Sequence, residues 1–165
     1  MRQPRLQTIP GIGQISAQQI IAEIGHDMSR FPTAAHLCNW AGICPGNNKS
    51  AGRQKSGRIN YANKTLKATL VQCAQAVKKN KKSFFSAQYQ RLVVRRGNNW
   101  ATVAVAHSLL IAIYHVVLQG AEFRDLGSTY YTRFNREKEI NSYLKQLEKL
   151  GVSIPDGTAM LEDTA

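Results

Sequence analysis

The stretch IPGIGQISAQQIIAEIG, residues 9–25, decides how the chain begins to fold. Over residues 14–24 the apolar side chains recur at helical spacing, which predicts an amphipathic helix. The isoleucines expected on its buried face are Ile15, Ile20, Ile21 and Ile24. Gly25 is a typical residue for the end of this helix, because glycine adopts the cap conformation without strain.

The Pro-Gly-Ile-Gly turn at residues 10–13 resembles a helix-hairpin-helix motif. In such a turn the glycines let the backbone approach a phosphate, and the amides that open the next helix donate to its oxygens. Contacts of this kind hold a duplex without reading its sequence. Gly11, Gly13 and Gln14 are therefore candidates for binding nucleic acid, while the same residues also fit an ordinary tight turn. A complete motif needs a first helix in the few residues before Pro10.

Helical signals dominate the rest of the chain, and no stretch has the pattern of a strand. Thr33 is placed to cap a short helix that reaches Trp40. Further helices are predicted over residues 60–77, 83–96, 99–119 and 136–150. The fold class is therefore expected to be all-α. The expected organisation is a helical domain over 1–121, an amphipathic helical extension over 122–154 and a disordered tail over 155–165.

Residues 44–58, CPGNNKSAGRQKSGR, interrupt the helical pattern. Glycine, asparagine, serine and proline are so frequent that we expect a long loop without a packed element. The loop carries four cations: Lys49, Arg53, Lys55 and Arg58. Together with Lys64 and Lys67 in the next helix, they are candidates for binding phosphates.

Two interpretations of this loop stay open. In the first, it is a flexible basic segment that clamps phosphates. In the second, Ser50 attacks a phosphodiester and the neighbouring cations offset the charge that develops on phosphorus. No general base stands near Ser50 in the sequence, and Ser56 is the second choice for the nucleophile.

The charge of the chain is strongly positive and unevenly placed. Lys and Arg number 22 against 10 Asp and Glu, for a net charge of +12, and residues 28–121 contain no acidic residue. This balance indicates a polyanionic partner. Two-metal nucleases need clustered carboxylates, and only Glu23 and Asp27 precede Glu122. We therefore expect no metal site in this chain, or a metal held by another domain or chain.

The three cysteines, Cys38, Cys44 and Cys73, follow no pairing pattern. Zinc bound with His36 would lack a fourth ligand, so free thiols in a reducing cytoplasm are expected. The longest apolar stretch, residues 100–118, is interrupted by two histidines and a serine and predicts a buried helix of a cytoplasmic protein without a membrane span. Trp100, the first residue of this stretch, and Trp40 are expected to anchor the core rather than to stack on nucleobases.

Several segments together resemble the C-terminal domain of insertion-sequence transposases of the 110/116/902 group, to which the pilin-gene invertases belong. The order is similar: an IPGIG turn, then Phe31, a WAGICP segment at residues 40–45, a Pro-x4-Ser-x-Gly-basic loop and a basic helix. The resemblance is good over residues 6–77 and looser through the RRGNNWA segment at residues 95–101. The combination of segments is more specific than the glycine turn alone.

This resemblance implies a partner and a reaction. Members of the group carry an N-terminal nuclease-like domain of RNase H type, whose four acidic residues bind magnesium. The serine at the position similar to Ser50 is taken to form a covalent link to a DNA 5′ phosphate. In some members a structured non-coding RNA guides the choice of DNA. The resemblance therefore implies that Ser50 completes a composite site with a Mg²⁺-binding domain, and that the chain itself needs no cofactor.

The chain departs from the group pattern at two places. Ala62 stands where glycine is usual, and Ser50-Ala51 stands where Ser-Gly is common. Because no nuclease-like domain precedes Met1, we expect the chain to be part of a longer protein and inactive by itself. A homo-oligomer is expected for the longer protein, located in the cytoplasm with the nucleoid.

Two other functions compete with the recombinase interpretation. The chain could be a binding module that clamps DNA or RNA, in which the loop serine is incidental. It could also be an oligomerisation domain built on the helices predicted over 99–119 and 136–150.

Overall fold

A long apolar helix forms the centre of the fold. The computed structural model describes residues 5–44, 48–50, 53–56 and 63–150. The helices are α1 Gln14–Ile24, α2 Ala34–Trp40, α3 Lys64–Val77, α4 Phe84–Arg96, α5 Asn98–Gln119 and α6 Tyr130–Lys149. Single 3-10 turns cover Leu6–Thr8 and Met28–Arg30, and two short strands are β1 Asn48–Ser50 and β2 Arg53–Ser56. The prediction of an all-α class is confirmed.

Helix α5 packs against α2, α3 and α4 and against both 3-10 turns. Val105, Leu109, Leu110 and Ile113 on α5 are fully buried. By length and composition alone α5 could cross a membrane, yet half of its most apolar window is buried inside the protein. Its hydrophobicity is therefore accounted for by the core, as the sequence predicts.

The predicted helices agree with the structure wherever the signal is local. Helices α1, α2, α4 and α5 begin and end within a residue of the prediction, and the Thr33 side chain accepts from the His36 N–H as its cap. Helix α3 begins at Lys64, after its N-cap Asn63. Residues 60–62 of the predicted helix lie outside the described chain. Helix α6 begins at Tyr130, earlier than the predicted start at Arg136. The tail predicted to be disordered, 155–165, also lies outside the described residues.

The expectation of a long loop without secondary structure over 44–58 was wrong. Strands β1 and β2 form an antiparallel hairpin within this segment. Only Ala51 and Gly52 separate the strands, and a two-residue connection is the commonest one in hairpins. The polar composition hid the hairpin, because neither strand shows the apolar alternation on which strand prediction depends.

Helices α1 and α3 pack as an antiparallel pair along their full length. At one end, the Gly11 turn before α1 meets Cys73 and Val77 in the last turn of α3. Midway, the Thr69 hydroxyl donates to Gln19 over 3.3 Å. At the other end, the Asn63 amide before α3 donates to Glu23. The pair therefore fixes the start of α1 beside the end of α3.

Gly11 is required by this packing. Its φ is +86°, and a Cβ atom there would lie 2.7 Å from the Cys73 carbonyl oxygen and 3.0 Å from the Val77 Cβ. Before the turn the described chain has only the 3-10 turn Leu6–Thr8. The complete helix-hairpin-helix motif therefore stays a prediction.

Helix α1 buries Ala17, Ile20 and Ile24. Ile15 was expected on the same face but is 72% exposed. From Ile15 to Ile20 is five residues, or about 140° around the helix axis beyond one turn, so these two side chains cannot share a narrow stripe. The expected burial of Ile15 was wrong.

The segment after α5 returns to the helical unit. The Phe123 N–H donates to the Thr8 hydroxyl over 2.9 Å, and the Ser128 N–H donates to the Lys82 carbonyl over 3.0 Å. Glu122 forms an ion pair with Arg5. The first compact unit therefore ends at Thr129, after the boundary predicted at Ala121, and the second begins at Tyr130 with α6.

Substituting Gly11 tests whether the α1–α3 seam controls stability. Gly11→Ala should lower the free energy of unfolding by about 2–4 kcal/mol, because it combines left-handed strain with overlap on the α3 backbone. Gly13→Ser is the matched control, since Gly13 has φ −86° and open space around its Cα. It should be neutral or slightly stabilising, because serine is a good N-cap. Urea unfolding followed by circular dichroism measures both, and equal destabilisation would contradict the assignment.

Candidate functional site

The basic hairpin, β1 with β2, contains four of the ten predicted site residues. Its register places Ser50 opposite Arg53, Lys49 opposite Gln54 and Asn48 opposite Ser56. The register shifts between Asn48 and Lys49, which leaves Lys55 without an opposite residue and forms a β-bulge. Ser50 thus ends β1 at the position opposed by an arginine.

Four of the predicted residues belong to this one structural unit. The strands contain Lys49, Arg53 and Lys55 together with Ser50 and no acidic residue. Arg58, the fourth predicted cation, lies outside the described residues. In the described chain the strands come close to each other and to none of the helices. The hairpin is therefore a short cationic element whose backbone is held by its own ladder.

The start of α3 adds two cations at a defined place. The Asn63 side chain accepts from the Leu66 N–H over 3.0 Å and donates to Glu23 on α1, which fixes the first turn of α3. Lys64 is exposed and Lys67 is half-buried within that turn, which contains no acid. Cations at the positive end of a helix dipole are unfavourable by themselves, and a bound anion would relieve this repulsion.

The start of α1 is open, but only two of its three predicted residues are available. Gly13 is the N-cap, and no side chain caps the helix. Gly13 and Gln14 are exposed, whereas Gly11 is occupied by its packing on α3. Gly11 therefore acts through the fold, and its predicted contact with a phosphate has no support from this geometry.

The predicted residues do not form one cluster. Gly13 and Gln14 lie beside the end of α3, while Lys64 and Lys67 lie at its beginning, because α1 and α3 run antiparallel. The fourteen residues of α3 separate the two groups by about 20 Å, at 1.5 Å per residue. A single phosphate cannot contact both groups, whereas a nucleic-acid backbone of several nucleotides can.

The carboxylates of the first unit are all used to hold the fold together. Glu23 accepts from Asn63, Glu122 pairs with Arg5, and Asp125 accepts from the Phe84 N–H over 2.9 Å. Asp27 accepts from Ser29, whose hydroxyl and N–H lower the pKa of that carboxyl. Within the described ranges no three His, Cys, Asp or Glu side chains converge. These residues do not fit a divalent metal.

The cysteines are free thiols in poorly reactive surroundings. Burial raises the pKa of Cys38 to about 12, and it also raises the pKa of Cys73 and of Cys44. A thiol attacks as its thiolate, which is scarce at neutral pH when the pKa is raised. This leaves the hydroxyls as the stronger candidates for a nucleophile.

Lys78 has a structural role that the sequence did not indicate. Its Nζ donates to Asn98 Oδ1 over 3.0 Å and to Thr102 Oγ1 over 2.9 Å, and it lies 4.2 Å from the centroid of the Tyr89 ring. Lys78 therefore joins the end of α3 to α4 and α5. Lys79, further along the same basic run, is exposed.

The two tryptophans are surface residues, and their prediction as core anchors was wrong. Trp40 is 41% exposed and packs on Phe31 with ring centroids 5.5 Å apart. Trp100 is 51% exposed in the first turn of α5. Aliphatic side chains fill most of the core instead, together with the aromatic residues Phe31, Phe85 and Tyr114. The Tyr114 hydroxyl donates to the Phe31 carbonyl over 3.0 Å.

The family match and the similar proteins found for this chain agree with one another. Residues 3–90 match the family model described as Transposase IS116/IS110/IS902 family. A probable family 20 transposase of Pseudomonas aeruginosa is 35% identical over 107 residues, which cover 62% of this chain and 31% of that protein. The transposase for insertion sequence element IS1111A of Coxiella burnetii is 29% identical over 73% of this chain and 34% of its own length.

A pilin gene-inverting protein of Moraxella bovis is 29% identical to this chain over 121 residues. The alignment covers 72% of this chain and 37% of that protein. The chain thus spans about a third of the length of the curated relatives it matches.

Replacing lysines in the run at residues 78–82 separates structural from exposed cations. Lys78→Ala should lower the free energy of unfolding by about 1–2 kcal/mol, because it removes two hydrogen bonds and a cation–π contact. Lys79→Ala removes the same charge from an exposed position and should change stability by less than about 0.5 kcal/mol. Thermal or urea unfolding of the two variants checks this. Equal stability of the two variants would show that the Lys78 contacts contribute nothing.

Proposed function

The chain belongs to the IS116/IS110/IS902 transposase family, and on that premise we propose that it is the nucleic-acid-binding, serine-bearing part of a DNA transposase or site-specific recombinase. The observation that carries the proposal is the hairpin register, in which Ser50 ends β1 opposite Arg53. Lys49 and Lys55 stand in the same hairpin, and no carboxylate does.

In the proposed reaction the Ser50 hydroxyl attacks a phosphodiester of DNA. The Oγ–P bond forms as the bond from phosphorus to the 3′ oxygen breaks, and the serine proton ends on that oxygen. The products are a 5′-phosphoserine and a free 3′-hydroxyl. A 3′-hydroxyl from another strand then attacks the phosphoserine, restores the phosphodiester and releases Ser50. The bond energy is conserved, so joining requires no nucleotide cofactor.

The cations of the hairpin supply electrostatic stabilisation in this proposal. The pentavalent phosphorus carries more negative charge than the phosphodiester, so fixed positive groups stabilise it more strongly than the ground state. Arg53 is the first candidate, because the register opposes it to Ser50. Lys49 and Lys55 are further candidates, and Ser56 is the alternative nucleophile.

We place the binding site for a divalent metal outside the described residues. The carboxylates of the first unit already accept hydrogen bonds or form ion pairs within the fold. We propose that Mg²⁺ is held by a nuclease-like domain of the longer protein. This chain by itself is then expected to bind nucleic acid without cutting or joining it.

The proposed partners are DNA and a structured guide RNA. Lys64 and Lys67 at the start of α3 would bind backbone phosphates near one end of the α1–α3 pair. Gly13 and Gln14 would bind them near the other end. A separation of about 20 Å corresponds to about six nucleotides at 3.4 Å each. Further proposals are that the longer protein is a homo-oligomer and acts in the cytoplasm at the nucleoid.

Substitution of the two hairpin serines tests the nucleophile. In the longer protein, Ser50→Ala should lower strand exchange by about 10⁴-fold or more, because no covalent intermediate forms. Binding should stay within about twofold, since the hydroxyl carries no charge. Denaturing electrophoresis with labelled DNA, followed by peptide mapping, measures the covalent adduct.

Ser56→Ala is the matched control and should retain both the adduct and the activity. An adduct that persists in Ser50→Ala and disappears in Ser56→Ala would transfer the role to Ser56. Loss of binding and activity together in Ser50→Ala would favour the alternative, a pure binding module whose loop serine is incidental.

A salt titration tests the phosphate contacts of this chain. The logarithm of the affinity for duplex DNA should fall linearly with the logarithm of salt, with a slope of about −4 to −5 if about five phosphates are neutralised. The double variant Lys64→Gln/Lys67→Gln should reduce that slope by about 2. Lys145→Gln/Lys149→Gln removes the same charge from exposed positions of α6 and should leave the slope unchanged. Equal effects of the two doubles would show that only net charge matters.

A further inference from the structure

The junction of α4 and α5 carries an exposed aromatic and basic surface, which we name the α4–α5 corner: Val94, Arg95, Arg96 and Trp100. Gly97 joins the two helices with φ +79°, a conformation that glycine adopts without strain. Trp100 is 51% exposed and Val94 is 87% exposed. A single exposed apolar side chain is ordinary on a protein surface. Here the exposed tryptophan lies within five residues of two arginines in the sequence.

Arg96 lies over the indole of Trp100. Its guanidinium carbon lies 5.5 Å from the centroid of the Trp100 ring, within the range of a cation–π contact. This contact uses part of the ring and leaves about half of the side chain exposed. The exposed part of the indole therefore stands next to the positive charge of Arg96.

Hydrogen bonds hold the first turn of α5, which carries Trp100. The Asn98 side-chain oxygen accepts from Lys78 Nζ over 3.0 Å and from the Tyr89 hydroxyl over 2.8 Å. The Thr102 hydroxyl donates to the Asn98 carbonyl over 2.8 Å. The first turn of α5 is therefore tied to α3 and α4, and the indole is presented on a rigid support. Preorganisation of this kind lowers the entropy lost on binding.

The charge of the corner selects the class of partner. Arg95 and Arg96 form the last turn of α4, and no acidic residue occurs between Met28 and Ala121 in the sequence. A negatively charged group would complement the two arginines, and a flat apolar group would complement the exposed indole. A nucleotide carries both in a single unit, a planar base and a phosphate.

We propose that the α4–α5 corner binds an unpaired nucleotide, with its base stacked on Trp100 and its phosphate on Arg95 and Arg96. This inference rests on the proposed binding of nucleic acid but assigns a surface separate from the hairpin. A base paired inside a duplex does not present its face, so the corner distinguishes single strands from duplexes. The shared chemistry is an unpaired nucleotide of DNA or RNA.

Fluorescence of Trp100 tests the stacking directly. In Trp40→Phe, Trp100 is the remaining tryptophan of the chain. Titration with oligothymidylate or oligouridylate of about 12 nucleotides should quench its emission. An abasic oligonucleotide with the same number of phosphates should bind without that quenching. The tighter of the first two ligands identifies DNA or RNA as the source of the nucleotide.

Trp100→Leu measures how much the stacking contributes to affinity. It should weaken binding of the oligothymidylate by about tenfold or more and change binding of the abasic oligonucleotide by less than about twofold. Leu118→Ala is the matched control, because Leu118 is 53% exposed at the other end of α5. It should leave both affinities unchanged.

The outcomes separate this inference from the proposed function. Equal affinity for the oligothymidylate and the abasic strand, without quenching of Trp100, would overturn the proposal that the α4–α5 corner binds an unpaired nucleotide. Salt-dependent binding of duplex DNA would in that case still support the proposed function. Absence of binding to every one of these polyanions overturns both. If Trp100→Leu does not fold, the quenching in Trp40→Phe alone decides the question.

Discussion

The antiparallel seam between α1 and α3 is the constraint on which the rest of the molecule depends. The seam is closed at one end by the fit of Gly11 against the Cys73 carbonyl and at the other by the Asn63–Glu23 hydrogen bond. A side chain at position 11 would push the turn away from α3, because backbone atoms cannot yield as a flexible side chain can. The same seam holds both exposed helix starts in place, so the packing that stabilises the fold also spaces the two groups of candidate phosphate ligands.

This arrangement changes how the basic charge should be understood. The sequence shows fourteen cations between residues 28 and 121 without an acid, which resembles one continuous basic surface. The structure instead places these cations at separate positions. Lys64 and Lys67 stand at the beginning of α3, Lys78 donates to Asn98 and Thr102 where α3 meets α5, and Arg96 lies over the Trp100 ring. A chain with this layout is suited to a long polyanion that passes several sites, since each site neutralises only a few phosphates.

What could be predicted from the sequence depends on the range of the interactions involved. Helices α1, α4 and α5 follow from periodicity and from caps such as Ser83 and Gly25, which act within four residues. The residues of the candidate site were also proposed from the sequence, because Ser50 and its cations are neighbours there, and their role stays a prediction. The hairpin that organises them was not predicted, because its strands are polar and lack the apolar alternation on which strand prediction depends.

Long-range contacts account for the remaining differences. The role of Lys78 depends on Asn98, twenty residues later, and the role of Glu23 depends on Asn63, forty residues later. Composition identifies a tryptophan as apolar but cannot decide its exposure, which depends on how the helices around it pack. Burial of large aromatic side chains is an average tendency, so a single tryptophan at a helix junction can depart from it.

The few carboxylates of the first unit explain how so basic a chain still holds a single fold. Three of that unit's four acids stand where two distant segments meet: Glu23 at the α1–α3 seam, Glu122 against Arg5, and Asp125 on the first N–H of α4. The fourth, Asp27, accepts from Ser29 two residues away. A carboxylate is worth most where it accepts hydrogen bonds from groups that would otherwise lack a partner, and least as one half of an exposed ion pair. Because the acids are used at these joints, little negative charge remains to mask the exposed lysines and arginines. Within the first unit, stability and a cationic surface are therefore obtained together.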